Sequence, residues 1–190
     1  MVRRADVLPL AYHVDYWDYI GWKDPFAQRA WTERQRGYSA ALGLRSIYTP
    51  QMVIAERIDA VGSRRDQVER AIRTARDTPA TVQLDLARTA QGATAVTLSG
   101  PEQSAVEADL VFVTYDRRRE TKVLRGENAG KTLVEYNIVR GATRVDTWRG
   151  GRLERMLGAT DLPSQGEYAI AIVQTRGQGP ILAAATIALR

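Results

Sequence analysis

His13 is the only histidine of the chain, and Asp15 follows it two residues later. A carboxylate beside an imidazole orients the ring for acid–base work or raises its pKa. The stretch that holds them, "AYHVDYWDYIGWKDPF" over residues 11–26, also carries Asp18, Asp24 and six aromatic side chains. Covalent catalysis would need a nucleophile as well, and no serine, lysine or cysteine with motif support stands beside His13. The competing reading is a histidine hydrogen-bonded within an aromatic layer. One histidine with scattered acids is a poor transition-metal set, so no metal site and no cofactor are expected. Cysteine is absent, which excludes disulfides, thiolate ligands and thiol catalysis by the chain's own residues.

Nine of the 14 aromatic residues lie between Tyr12 and Tyr48. Most should pack in a core, because Tyr and Trp dominate packing area. The residues from Trp17 to Trp22 follow the expected end of a strand. In that loop, aromatic side chains either line a recognition surface or complete the core, and both readings stand. Tyr48-Thr49-Pro50 reads as an ordinary Thr-Pro turn before a strand. "GENAG", Gly126 to Gly130, has no derivable chemistry. With Asn128 and Asn137 it ties down a loop through side-chain bonds or seats two parts of the chain together.

The elements that must position these residues are legible in outline. "VLPLAYHVDY" alternates as a buried strand, with Leu8, Leu10, Tyr12, Val14 and Tyr16 on one face and Ala11, His13, Asp15 and Trp17 on the other. "KDPFAQRAWTERQRGYSAALG" reads as a helix capped by Asp24, opened by Pro25 and stopped by Gly43. Two short strands follow Thr49-Pro50, joined at Ala55-Glu56 by poor turn chemistry. "SRRDQVERAIRTARD" is a helix capped by Ser63, with Val68, Ala71, Ile72 and Ala75 as its apolar stripe. After "DTPA" the pattern changes to short alternating segments punctuated by turn residues, which indicates an antiparallel sandwich or barrel. The expected organisation is α/β over 1–79 followed by an all-β unit over 80–190.

The net charge of +5 is spread over both parts. The one tight basic run, Arg117 to Arg119, sits between acids and reads as a solvated turn. No basic stripe points to nucleic acid. No run of apolar residues is long enough to span a bilayer. The N-terminus "MVRRADVLPLAYHV" turns polar too early for the apolar region of an export signal.

Three segments together, "AYHVDYWDYIGWKDPF", "YTPQMV" and "RGENAGKTLVEYNIVR", resemble a bacterial family of exported thioredoxin-like proteins of unknown function, the domain-of-unknown-function 1223 family. The resemblance covers nearly the whole chain. It implies that residues 1–79 form the second half of a thioredoxin fold, with Pro50 at the cis-proline position, followed by an antiparallel β-sandwich-like domain. Members of that family begin with an export signal, a strand and a Cys-x-x-Cys segment opening the first helix, and this chain starts after that unit. The resemblance therefore implies an incomplete thioredoxin-like domain lacking its first strand and helix. It also implies a periplasmic or secreted location if the full-length protein has the family's signal, and a protein or peptide as partner. In that fold the missing strand lies between the strand of His13 and the strand after Pro50. A cleft bordered by Tyr48, Thr49 and Pro50 is then expected above one layer of His13, Asp15 and Trp17, with Trp22 available to a partner. No catalytic residue is assigned. The candidate functions are thiol–disulfide exchange with cysteines outside this chain, non-catalytic binding through loop 17–22 and the β unit, and a hydrolase on His13 and Asp15 that lacks a nucleophile.

Overall fold

The structure is a computed structural model that describes residues 4, 6–104, 106–126 and 128–189. The alternating segments of the second part form seven strands: β3 (Gln83–Arg88), β4 (Thr94–Ser99), β5 (Ala108–Lys122), β6 (Thr132–Trp148), β7 (Arg152–Leu157), β8 (Tyr168–Thr175) and β9 (Ile181–Ala188). They build two antiparallel sheets, ordered β3-β4-β7 and β6-β5-β8-β9. The sheets face each other over one core, because period-two alternation sends one set of side chains from each inward. That core contains Val96, Leu98, Leu110, Phe112, Trp148, Ala171 and Val173. "KTLVEYNIV" and "TRVDTW" are one strand, not two, since β6 runs through both and absorbs the register shifts of its pairing with β5 as bulges. The Arg117–Arg119 run is likewise not a turn. It lies inside β5, where Arg119 pairs with the buried Asp116 at 2.8 Å and Arg118 with Glu120.

The opposite face of the four-stranded sheet is also apolar. Val113, Val139, Ile170 and Ile172 are covered by Trp31, Leu8, Leu10 and Tyr12. The expected face of the N-terminal segment is thus used, but the segment is not a ladder strand. It makes a single parallel bridge, Ala11 to Ile138 on β6. It leaves the extended conformation at Asp15 and enters a 3-10 turn over Asp18–Ile20.

Helix α1 spans Arg29–Ala41, starting four residues after Pro25. Asp24 does not cap it, because the carboxylate is already engaged: Oδ1 accepts the Phe26 N–H at 2.8 Å and Oδ2 meets His13. The stop is as expected. Gly43 has φ +65°, Gly43 N–H donates to the Ala40 carbonyl and Leu44 N–H to that of Ser39, closing the last turn in a Schellman arrangement. Thr49-Pro50 is cis. Strands β1 (Gln51–Ile54) and β2 (Ile58–Val61) form a two-stranded antiparallel hairpin. Helix α2 (Arg65–Arg76) buries Val68, Ala71 and Ile72, and Val68 and Ile72 pack with Met52, Ile54 and Ala60 of the hairpin. Arg64, not Ser63, stands at its N-cap, and no side chain caps it. Among the described residues no helix is long and apolar enough to cross a membrane.

Candidate functional site

A groove of about 450 Å³ lies between residues 6–14 and β1. An extended chain sends the N–H and C=O of successive residues to opposite sides. Ala11 exchanges both its groups with β6, donating to Asn137 and accepting from Val139, each at 2.9 Å. Pro9 C=O accepts from the Asn137 side chain, and His13 C=O from the Gln28 N–H. The backbones of Leu8, Leu10, Tyr12 and Val14 therefore face the other way, into the groove. Among the described residues none of them has a backbone hydrogen bond. On β1 the carbonyls of Pro50 and Ile54 accept from Gly62 and Arg57 on the β2 side, which turns Gln51 and Val53 toward the groove. Two strand edges, unpaired among the described residues, thus face each other across an apolar space lined by Leu8, Leu10, Met52, Ile54 and Ile172.

The lining also contains a half-buried charge pair that the sequence did not reveal. Ala55 and Glu56 are both left-handed, at φ 49° and 57°, a conformation costing about 1–2 kcal/mol per non-glycine residue. The turn is held from both sides. Ala55 C=O accepts the Ile181 N–H at 3.3 Å, and Glu56 Oε1 lies 3.5 Å from Arg34 Nη2. Burial pushes the Glu56 carboxyl above its usual range, opposed by Tyr38 and Arg34. Arg34 stacks over Tyr12 and Tyr38, with its carbon Cζ 5.3 and 5.0 Å from the ring centres. Trp31 Nε1, Arg34 Nε and Glu56 Oε2 are buried without a hydrogen-bond partner among the described residues, and their side chains line this groove. The signal available in the sequence was the poor turn chemistry at Ala55-Glu56, which marks a turn fixed by something other than its own residues.

His13 and Asp15 do not act as a pair. Because the chain bends at Asp15, the strict alternation ends there, and Asp15 Oδ1 accepts from Thr32 Oγ1 at 2.5 Å. His13 instead donates from Nδ1 to Asp24 Oδ2 at 2.6 Å, while Nε2 lies 3.8 Å from Glu135 on β6. Its ring meets Phe26 edge-on at 5.6 Å. Burial opposes a charge on His13, but the Asp24 hydrogen bond and the fields of Asp24 and Glu135 outweigh it and raise the pKa. Asp24 is lowered: burial works against the charge, and bonds to His13 and Phe26 prevail. The three groups bring potential ligand atoms within 4.8 Å of one another. However, 2.6 Å is a hydrogen-bond distance, against about 3.4 Å for two ligands each 2.1 Å from a tetrahedral zinc. The arrangement reads as an imidazolium between two carboxylates, joining the N-terminal part to the β sheets.

The remaining candidates lie at the rim. Trp17 Nε1 donates to Thr49 Oγ1 at 3.0 Å, next to Pro50, and stacks on Tyr19. Tyr48 donates to Asp59 Oδ2 at 2.7 Å, and burial with that bond pushes its pKa up to about 12. Trp22 is half-buried against Gly126 of the "GENAG" turn. Trp17, Thr49 and Pro50 therefore come together, whereas His13, Asp15 and Trp22 have separate partners and no single layer joins them.

No curated protein matches the chain. Among solved structures, protein AGR_C_4864 from Agrobacterium tumefaciens is similar at 25% identity and a TM-score of 0.79, over 95% of this chain and 80% of that one. The endonuclease/exonuclease/phosphatase from Beutenbergia cavernae DSM 12333 matches at 18% identity over 57% of this chain and 23% of that one, with a TM-score of 0.20, too low to transfer fold or activity. A family model matches residues 1–174, and the chain belongs to the family described as Protein of unknown function (DUF1223).

Proposed function

We propose that this chain is the larger part of a thioredoxin-like, envelope thiol–disulfide exchange protein. A cysteine-bearing strand–helix unit outside the 190 residues completes it by filling the groove. The observation that carries the reading is the pair of edges, Leu8–Val14 and Gln51–Val53, that are unpaired among the described residues and face each other across about 450 Å³. One strand between them would satisfy backbone groups on both sides and cover the apolar lining. The element order supports it: an extended segment, a helix, Thr49-Pro50, a hairpin and a helix. In such a protein Thr49, Pro50 and Trp17 border the cleft where the cysteine pair and a bound peptide meet. The chemistry itself is thiolate attack on a disulfide sulfur, so the chain by itself has no insulin reductase activity. The test extends the coding sequence upstream in frame and assays the longer protein. Insulin reduction that disappears when either added cysteine becomes serine supports the proposal. A folded longer protein without a cysteine pair, or with one that does not reduce insulin, removes it.

A second reading is non-catalytic binding, in which the groove and loop 17–22 hold an extended segment of a protein partner. It is favoured by the exposure of Trp17 and Tyr19 beside Thr49. A stop codon directly upstream of Met1 would select it over the first.

A further inference from the structure

We propose that the tip made by loop 17–23 and the β5–β6 turn, residues 122–131, docks on an anionic lipid surface. This inference is independent of the groove and of thiol chemistry. The two most exposed large apolar side chains among the described residues are Tyr19, 79% exposed, and Leu124, 75% exposed. They sit on different turns, and the turns touch. A Cβ on Gly126 would stand 3.3 Å from the Ile20 carbonyl oxygen and from Trp22 Cβ. The bare glycine is what allows this close approach. Ile20 and Trp17, both nearly half exposed, extend the same apolar surface.

Charge gathers at the same tip. Lysine is rare in this arginine-rich chain, and its three copies, Lys23, Lys122 and Lys131, are all here, with Arg125 beside them. All four are exposed. The neighbouring ion pairs use other cations, Arg118 with Glu120 and His13 with Asp24. Among the described residues Lys131 Nζ reaches only the Asn128 side chain, at 2.9 Å. The further acid among the described residues of the tip is Asp18, which accepts the Asp24 N–H; Glu127 lies outside the described residues. The two turns thus carry four exposed cations beside the apolar knobs, against one acid among the described residues, Asp18.

That combination fits a bilayer better than a protein partner. Protein interfaces are depleted in lysine, whereas lysine stems lie along an apolar surface while their ammonium groups reach phosphate. Aromatic and aliphatic side chains enter the headgroup boundary, and each basic residue close to an anionic surface adds about 1 kcal/mol, or about fivefold in binding. Neither signal alone gives firm attachment, but together they do.

The test is co-sedimentation of the 190-residue chain with vesicles of phosphatidylcholine alone and of phosphatidylcholine with phosphatidylglycerol. Binding should require the anionic lipid and weaken as salt rises. The pair Lys122→Glu and Lys131→Glu should lower it at least about 25-fold, by the fivefold step per charge. Tyr19→Ser with Leu124→Ser should lower it about tenfold or more, with circular dichroism unchanged because these side chains are exposed. Tyr136→Ser, on an exposed strand position away from the tip, should bind like the parent. Equal binding to both vesicle types, no vesicle binding, or full binding by either tip variant overturns the proposal. So does a result in which the tip variants lose a protein partner and keep the vesicles.

Discussion

The β sheets and the N-terminal part meet the demand for backbone hydrogen bonds in different ways. In the sandwich β4, β5 and β8 have a neighbour on each side, β3, β6, β7 and β9 are edges with one, and the core between the sheets, from Leu98 to Phe112 and Val173, is fully buried. In the N-terminal part a single bridge holds an extended segment, β1 has one neighbour, and a groove separates them. Side chains are packed well on both sides of that groove, so composition alone does not mark it as open. The lesson is that apolar patterning is satisfied locally by helices and by the neighbouring sheet, whereas strand pairing needs a partner strand. A chain can therefore look globular throughout and still leave one seam unpaired.

Removing residues 1–79 should have the largest effect on the molecule. We propose that residues 80–190 form an independent domain, since they contain both sheets and the core between them. The cut uncovers Val113, Val139, Ile170 and Ile172, and burying side chains of this kind contributes about 1.5–3 kcal/mol each. The fragment should keep a cooperative, β-rich unfolding transition but lose several kcal/mol and associate through that face. A helical or unfolded circular dichroism spectrum would end the two-part description.

Single core substitutions separate the two parts further. Phe112 is fully buried between the sheets, and Phe112→Ala should cost about 3–5 kcal/mol by chemical denaturation. Ile72, 3% exposed on α2, lines the groove, where the structure can relax into the space. Ile72→Ala should fall at the low end for such truncations, about 2 kcal/mol. Equal costs at the two positions would mean that the groove does not loosen the N-terminal part.

His13→Ala comes next, at about 1–3 kcal/mol, because it strands the Asp24 carboxylate and removes the link to Glu135 on β6. Trp22→Ala should cost less, since Trp22 is half-buried against a glycine. Thermal unfolding that ranks these two in the opposite order would mean that the His13–Asp24 contact does not anchor the N-terminal part.

What the sequence made legible follows the same division. The strands of the sandwich were readable as short apolar segments between turn residues, with clean period two in β4, where buried and half-buried positions alternate, and near-continuous burial in β8, which is covered on both faces. The apolar faces of the N-terminal segment and of α2 were readable from their periodicity. Partner choices were not. Nothing in the spacing of His13, Asp15 and Asp24 says that the chain turns at Asp15 and returns Asp24 to the imidazole, because the turn depends on a 3-10 segment and on Asp24 binding the Phe26 N–H. The Glu135 and Glu56 contacts join residues distant in sequence, from β6 and from the hairpin turn. A single sequence contains the residues of those pairs but not their meeting.

The smallest expected effect is on the pH dependence of stability, and it separates the two regions by their titrating groups. His13 is raised above its ordinary 6.5 by Asp24 and Glu135, which outweigh its burial. A raised histidine contributes stability that is fully present below about 6.5 and is lost as pH rises through the folded value. Glu56, raised above 4.5 by burial, acts in the same direction from a lower start, since deprotonation is disfavoured in the folded chain. Asp24, lowered below 3.8, works at the other end: its contribution is present above 3.8 and disappears as pH falls through the folded value. Stability measured by denaturant should therefore decline on the alkaline side of 6.5. His13→Gln should flatten that part of the profile and leave the earlier decline of Glu56, which Glu56→Gln should remove in turn. Both groups lie in the N-terminal part and its contacts, so a fragment of residues 80–190 should show neither slope. If the parent and His13→Gln give the same profile above 6.5, the imidazole is not held as a cation between the two carboxylates, and the link between the two parts is packing alone.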